Sequence, residues 1–233
     1  MLERIKKICL FLKKHNADTT RRAGGHIHVG APIIGNDLEG WRIFTKLFLL
    51  YEHIIYRFFF GDKINARPHI RKYASPISQK LYKAMNKINT AQNIHDIERA
   101  IPTYPYFSIN FKNLNFSSLE KNTKGNTFEL RCPNATIEEI IWQNNINVFI
   151  NMFLSSRRHI INEDFLNYKL KKYQLSKNNM LRYNEIFLKE ALEFADLIFD
   201  YNKDKIYFLR QYLKNFQTSS QTNKVVLAKR FIR

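Results

Sequence analysis

The sequence predicts an α+β fold, in which a small antiparallel sheet carries helices on one face and a helical C-terminal region follows. Three short segments alternate apolar and polar residues, the two-residue period of a half-buried strand. Other segments repeat apolar residues every three or four positions, as amphipathic helices do. Glycine and proline number only seven and six in 233 residues. This scarcity disfavours a barrel that would need many tight turns.

Helices are predicted on both sides of the first strand. Apolar residues at helical spacing occupy residues 2–14, and a longer apolar segment covers residues 38–60. The longer segment approaches the length of a membrane span, but Lys46, Glu52 and Arg57 interrupt it, so we predict a core helix. Two shorter helices are predicted over residues 79–88 and 94–100.

The three predicted strands cover residues 26–29, 106–114 and 126–131. Residues two apart share a face of a strand, so His26 and His28 point to one side and the apolar residues between them to the other. The same alternation predicts an apolar face and a polar face for the other two strands. The polar faces hold Ser108, Asn110 and Lys112 in the second strand, and Thr127, Glu129 and Arg131 in the third. One antiparallel sheet would bring these polar side chains onto a single surface.

Helical patterns dominate the chain after the third strand. The residues 136–139, Thr-Ile-Glu-Glu, form a capping-box pattern, which predicts a helix from Ile137 to Leu154. Further helical periodicity covers residues 183–201 and 205–216. We therefore expect the strands and the helices between them to lie within residues 1–155, followed by a helical region over residues 156–233.

Composition and charge limit the classes of function. Lysine and arginine number 38 against 20 acidic residues, a net charge of +18, and such a field attracts polyanions. Lysine, asparagine and isoleucine are also what AT-rich codons encode, so the charge alone does not argue for a nucleic-acid partner. The two cysteines, Cys9 and Cys132, form no metal-binding or disulfide spacing. Without a secretory leader pattern, a soluble cytoplasmic protein with no membrane partner is expected.

Two alternative functions are compatible with the residues. His26, His28 and Glu129 make up a donor set that suits zinc in a hydrolase. A basic nucleic-acid-binding protein could instead use cations interleaved with aromatic rings. The residues for that second function would be Arg21-Arg22, Arg157-Arg158 and the segment 168–173.

Four motifs, in their order along the chain, resemble the amidoligase family. They are Ala-Gly-Gly-His-Ile-His-Val-Gly at 23–30, Tyr-Ala-Ser-Pro at 73–76, Tyr-Phe-Ser-Ile-Asn at 106–110 and Thr-Phe-Glu-Leu-Arg at 127–131. Members of this family are carboxylate–amine ligases related to glutamine synthetase and glutamate–cysteine ligase. The resemblance covers roughly residues 1–155 and implies the catalytic core of a glutamine-synthetase-type sheet.

The resemblance implies a role for each matching residue. Glu129 and His26 would be ligands of the Mg²⁺ (or Mn²⁺) that bridges the phosphates of ATP. His28 would contact the phosphates or the substrate, and Arg131 would stabilise the transferred phosphoryl group and the acyl phosphate. Arg71 and Asn110 would complete the residues that bind nucleotide and substrate. The implied substrates are a small-molecule or peptide carboxylate and an amine.

The sequence departs from the family pattern in one respect. Family members carry a Glu-x-Glu strand before the His-x-His strand, and this chain has no such motif. Magnesium prefers oxygen ligands, so a face with one carboxylate should bind it poorly. We therefore expect a truncated, split or degenerate copy, completed by a missing N-terminal half or by a homo-oligomer partner.

Overall fold

Helices and one three-stranded antiparallel sheet make up the described part of the chain, which confirms the predicted α+β class. A computed structural model describes residues 2–17, 24–60, 70–173 and 185–213. The helices are α1 (Leu2–Lys14), α2 (Leu38–Phe60), α3 (Ile70–Tyr73), α4 (Ser78–Thr90), α5 (Ile94–Ala100), α6 (Glu139–Arg157), α7 (Glu163–Lys171), α8 (Glu185–Ile198) and α9 (Asn202–Tyr212). The strands are β1 (Ile27–Gly30), β2 (Ile109–Asn110) and β3 (Thr127–Leu130).

Helix α2 lies at the centre of the molecule. It carries large apolar side chains all around its circumference, as a helix surrounded by other elements does. Six of the described helices, α4 to α9, pack around it. At its N-terminal half, the Trp41 and Phe44 rings lie 5.2 Å and 6.0 Å from the ring of Phe128 on β3. Helix α2 therefore supports the apolar face of the sheet and joins it to the helices.

The sheet has the order β1-β3-β2, with β3 in the middle. Its register places His28 of β1 and Asn110 of β2 on either side of Glu129 in β3. Ile27 and Ile109 flank Leu130 in the same way, on the apolar face. The polar residues of three distant segments thus meet around Glu129.

Strand β2 is much shorter than the predicted strand 106–114. At its start, the Phe107 N–H donates to the Tyr104 carbonyl at 3.3 Å in a turn. At its end, the Lys112 N–H donates to the side chain of Asn110 at 2.8 Å, so the side chain replaces a strand partner. Phe107 instead forms an isolated parallel bridge with Ser75. Local side-chain and turn bonds therefore restrict the strand to two residues.

The capping-box prediction for the helix after β3 is wrong. Helix α6 begins at Glu139, two residues later than predicted, and the side chain of its N-cap residue Glu138 makes no capping bond. Thr136 Oγ1 accepts from the N–H of Glu138 at 3.0 Å instead of capping the helix. The Glu138 carboxylate pairs with Lys13 of α1, with an Nζ–Oε2 distance of 2.9 Å. Contact with α1 thus takes the acidic side chain away from the helix end.

Helices α7, α8 and α9 pack against α2, and α8 and α9 also pack against α6. Buried residues of these helices, such as Leu166, Phe194 and Phe208, belong to the same apolar cluster as the sheet residues. The division at residue 155 stays a prediction. Among the described helices, none has the length and hydropathy needed to cross a membrane.

Candidate active site

Strand β1 shows the predicted alternation of faces. Ile27 and Val29 are buried in the apolar core, whereas His26 and His28 are exposed. On β3, Phe128 and Leu130 lie in the core, as predicted. The prediction that Ser108, Asn110 and Glu129 lie on an open polar surface needs correction, because all three are buried. The two histidines therefore lie on the accessible part of this face, together with Lys112 and the partly exposed Thr127 and Arg131.

A close approach of the backbone to α6 fixes the entry into β1. The Gly25 N–H donates to the Pro133 carbonyl at 3.0 Å. A Cβ atom at Gly25 would lie 2.7 Å from the Cη2 atom of Trp142, nearer than such contacts allow. The glycine before His26 therefore lets the strand start against the helix, which places the imidazole beside Glu129.

Glu129 is the centre of a network of charged and polar side chains. Its Oε1 atom lies 2.5 Å from Nη1 of Arg131 and 3.3 Å from Nδ1 of His26. Its Oε2 atom accepts from Nδ2 of Asn110 at 2.7 Å. A carboxylate this buried is stable only when it is paired and hydrogen-bonded. The structure thus brings together four of the predicted site residues.

Arg131 is held in place by three kinds of contact. Its Nη1 pairs with Glu129, and its Nε donates to the Tyr73 carbonyl at 3.0 Å. Its guanidinium carbon lies 5.6 Å from the centre of the Tyr106 ring. Its backbone N–H donates to the Ser108 carbonyl at 2.8 Å. The guanidinium is therefore fixed at the boundary between the buried network and the surface.

His28 lies next to this network, but it is oriented by another partner. Its Nδ1 atom lies 2.9 Å from the hydroxyl of Thr127, on the neighbouring strand. This contact leaves Nε2 as the ring nitrogen for a ligand. The sixth predicted residue, Arg71, belongs to helix α3, and its side chain lies outside the described part of the structure.

The environment of His26 favours the neutral imidazole. Partial burial lowers the pKa of His26 below its ordinary value of 6.5, and the positive charge of Arg131 lowers it further. Glu129 acts in the opposite direction, and its effect is smaller than that of either of the other two. At neutral pH the imidazole is therefore uncharged and has a lone pair for a proton or a ligand.

We expect the pKa of His26 to respond to its two charged neighbours in opposite directions. Arg131→Met should raise it, because a repelling cation is removed, and Glu129→Gln should lower it, because an attracting anion is removed. Ring-proton chemical shifts followed by NMR titration would measure both. The pKa of His26 is higher in the unfolded chain than in the folded protein. The stability that neutral His26 contributes is therefore present above about pH 6.5 and is lost as the pH falls through the folded pKa. Shifts of the same sign in the two variants would contradict this account.

The buried carboxylate of Glu52, on α2, supports the segments next to the network. It was not among the site residues predicted from the sequence. Glu52 accepts from the backbone N–H groups of Ile77 and Ser78, each at 2.8 Å, and from the hydroxyl of Ser108. Burial raises the pKa of Glu52, although these three donors oppose the shift. The carboxylate thereby holds the start of α4 and the segment before β2. The sequence signal is a glutamate in the middle of a long and largely apolar helix, which indicates a buried polar partner elsewhere in the chain.

The described residues do not by themselves fit a magnesium ion. Mg²⁺ requires near-octahedral coordination, mostly by oxygen. Here one carboxylate faces the site, and both of its oxygens contact protein groups. No group of three or more His, Cys, Asp or Glu side chains that could hold a metal occurs in the described part of the chain. That finding also leaves the zinc-hydrolase alternative without support, and the assignment of His26 and Glu129 as metal ligands stays a prediction.

The contacts of the proposed nucleic-acid-binding residues do not favour that alternative. The Arg157 guanidinium donates to the Pro32 carbonyl at 2.5 Å, and Arg158 lies 3.9 Å from the carboxylate of Asp200. Both cations therefore have partners within the protein. Arg21 and Arg22 lie outside the described residues.

The face around Glu129 combines a fixed guanidinium, a neutral imidazole and a hydrogen-bonded carboxylate. A family model described as "Putative amidoligase enzyme" matches residues 1–152. This chain belongs to the amidoligase family, a family of ligases. No curated protein and no solved structure matches it.

Proposed function

We propose that this protein is an ATP-dependent carboxylate–amine ligase that activates a carboxylate as an acyl phosphate and forms an amide bond. The observation that supports the proposal is the convergence of Asn110, Glu129, Arg131 and His26 within a chain of the amidoligase family. Acyl-phosphate formation moves a highly charged group, and fixed cations and dipoles stabilise that charge best. The substrates are a small-molecule or peptide carboxylate and an amine.

Each residue of the face has a task in this proposal. Arg131 binds the oxygens of the transferred phosphoryl group, and Glu129 orients its guanidinium. Asn110 holds the carboxylate of Glu129 and lines the nucleotide side of the site. His28 contacts the phosphates or the substrate through Nε2, and neutral His26 is available to accept a proton. Arg71 stays a predicted ligand of the nucleotide or the substrate carboxylate.

ATP-dependent ligation also requires a divalent ion, Mg²⁺ or Mn²⁺, to neutralise the phosphates. Because the described residues alone do not fit this ion, Glu129 and His26 would hold it only together with further ligands. Further carboxylate ligands would have to come from a second chain or from residues beyond the described ones. Whether ATP binding depends on the metal would therefore show whether such further ligands are present.

Thermal unfolding with ATP tests the proposal directly. We expect ATP with Mg²⁺ to raise the melting temperature, because a ligand that binds only the folded state stabilises it by about 2.7 kcal/mol at a hundredfold excess over Kd. EDTA should reduce the shift if the divalent ion bridges nucleotide and protein. Glu129→Gln should remove the metal-dependent part of the shift, because it replaces the one carboxylate on the face by a neutral amide.

Glu138→Gln is the matched control for this experiment. Glu138 is exposed and pairs with Lys13 of α1, so the loss of its charge should leave the ATP-dependent shift unchanged. Equal shifts in wild type and Glu129→Gln would remove Glu129 from the metal and nucleotide site. A cooperative transition that ATP does not move, with or without Mg²⁺, would contradict the proposed function.

A further inference from the structure

Three exposed tyrosines, Tyr73, Tyr104 and Tyr106, lie beside Arg131; we call them the tyrosine cluster. Their exposed fractions are 51%, 52% and 42%. The ring centres of Tyr73 and Tyr106 are 6.1 Å apart, and those of Tyr104 and Tyr106 are 5.5 Å apart, both edge to face. Exposed aromatic surface that is contiguous in this way is a common mark of a binding site.

The backbone under the tyrosine cluster is held in place, so the rings are presented from a fixed support. The Tyr106 carbonyl accepts from both the N–H and the hydroxyl of Ser75, at 2.7 Å and 3.0 Å. The Tyr104 carbonyl accepts from Phe107, and the Tyr73 carbonyl accepts from Arg131. A ligand that stacks on these rings therefore does not have to order a mobile segment, which lowers the free-energy cost of binding.

Cations lie on two of the three rings. The Lys72 Nζ atom is 5.5 Å from the centre of the Tyr73 ring, and the Arg131 guanidinium carbon is 5.6 Å from that of Tyr106. The Tyr104 ring lies edge to face against the rings of Tyr106 and Phe107, with ring centres 5.5 Å and 5.3 Å away. The surface thus combines a flat, aromatic end with a positively charged end that adjoins the Glu129 network. A ligand of matching chemistry has a planar ring at one end and a polyanion at the other.

We propose that the tyrosine cluster is the subsite for the purine base of a nucleoside triphosphate, with the phosphates directed toward Arg131. The juxtaposition of Tyr104 and Tyr106 with the fixed guanidinium carries this inference. Every base presents a π-face that aromatic side chains can stack on. The inference rests on the proposed function and adds to it the position and the direction of the bound nucleotide.

Calorimetric titration of the full chain with ATP, and separately with inorganic tripolyphosphate, tests the inference. Tripolyphosphate carries the charge of the nucleotide but no base. Tyr104→Ala should weaken ATP binding about tenfold or more, since stacking on one aromatic side chain has an effect of that order. The affinity for tripolyphosphate should stay the same, because Tyr104 does not touch Arg131. Tyr104→Phe, which keeps the ring, should bind ATP as wild type does.

Tyr201→Ala is the control for a general effect of removing an exposed tyrosine, because Tyr201 is 73% exposed and lies at the start of α9. It should leave ATP affinity unchanged. Equal ATP affinity in wild type and Tyr104→Ala would overturn the subsite and leave the proposed function standing. Equal losses for ATP and tripolyphosphate in Tyr104→Ala would also overturn it, since they would indicate a structural effect. Absence of ATP binding by the wild type would overturn both the subsite and the proposed function.

Discussion

Glu52→Leu is expected to lower the free energy of unfolding by about 3 kcal/mol or more. The substitution fills a similar volume but leaves the N–H groups of Ile77 and Ser78 and the hydroxyl of Ser108 without their acceptor. Each buried donor left unsatisfied costs about 1–3 kcal/mol, and the release of a buried carboxylate offsets part of the total. Denaturant unfolding of the purified variant would measure the change.

Two further variants serve as comparisons for the effect of Glu52→Leu on the free energy of unfolding. Ser108→Ala removes one donor and keeps the carboxylate with its two backbone partners, so its cost should be about 1 kcal/mol. Glu98→Leu replaces an exposed glutamate of α5 and should change stability by no more than about 0.5 kcal/mol. A Glu52→Leu protein as stable as wild type would show that the three donors find other acceptors, and the carboxylate would then not be a support of the site.

Arg131→Met should reduce the affinity for ATP by about tenfold or more. The variant keeps an unbranched side chain over Tyr106 but loses the charge that the phosphates require, and hydrogen bonds to charged groups contribute about 1.5–3 kcal/mol each. Titration calorimetry with ATP and with tripolyphosphate should show the same loss for both. Arg158→Met, which removes an exposed cation paired with Asp200, should bind both ligands as wild type does.

The same Arg131 variant should also unfold more easily, because Glu129 is left as a buried carboxylate without its cation. Removing one partner of a buried pair typically costs about 3–5 kcal/mol. The double variant Arg131→Met/Glu129→Gln should recover part of this stability, since the unpaired charge is gone, and should recover none of the ATP affinity. Recovery of binding together with stability would assign Arg131 a structural role only. The two readouts therefore separate its contribution to the fold from its contribution to the site.

Sequence periodicity predicted those parts of the fold that depend on neighbouring residues. The alternation in β1 correctly placed His26 and His28 on the exposed side, because strand geometry alone determines which residues share a face. The bounds of α1, α2 and α5 also agree with the prediction, because apolar periodicity defines these helices and Asn93 caps the start of α5. A single antiparallel sheet was assumed from the polar faces, whereas the strand order β1-β3-β2 could not be predicted from periodicity.

Features that depend on distant partners could not be predicted in this way. Besides the local bonds at its ends, β2 is kept short by the bridge between Phe107 and Ser75, a residue more than thirty positions away. Helix α6 starts late because Glu138 pairs with α1 instead of capping. The role of Glu52 depends on donors from two other segments. In each case a tertiary contact outweighed a local preference, and no periodic pattern encodes such a contact.

The central position of α2 has a consequence for motion near the site. Six helices and the sheet share this one support, so none of them can move far without exposing apolar surface of α2 to water. Large rearrangements are therefore coupled to cooperative unfolding, whose free-energy cost is that of the whole core. Adjustment to a ligand is consequently confined to side chains on the outer surface, among them His28 and the tyrosine cluster. For the described elements that pack on α2, we therefore expect a ligand to change side-chain rotamers and not the relative positions of the helices.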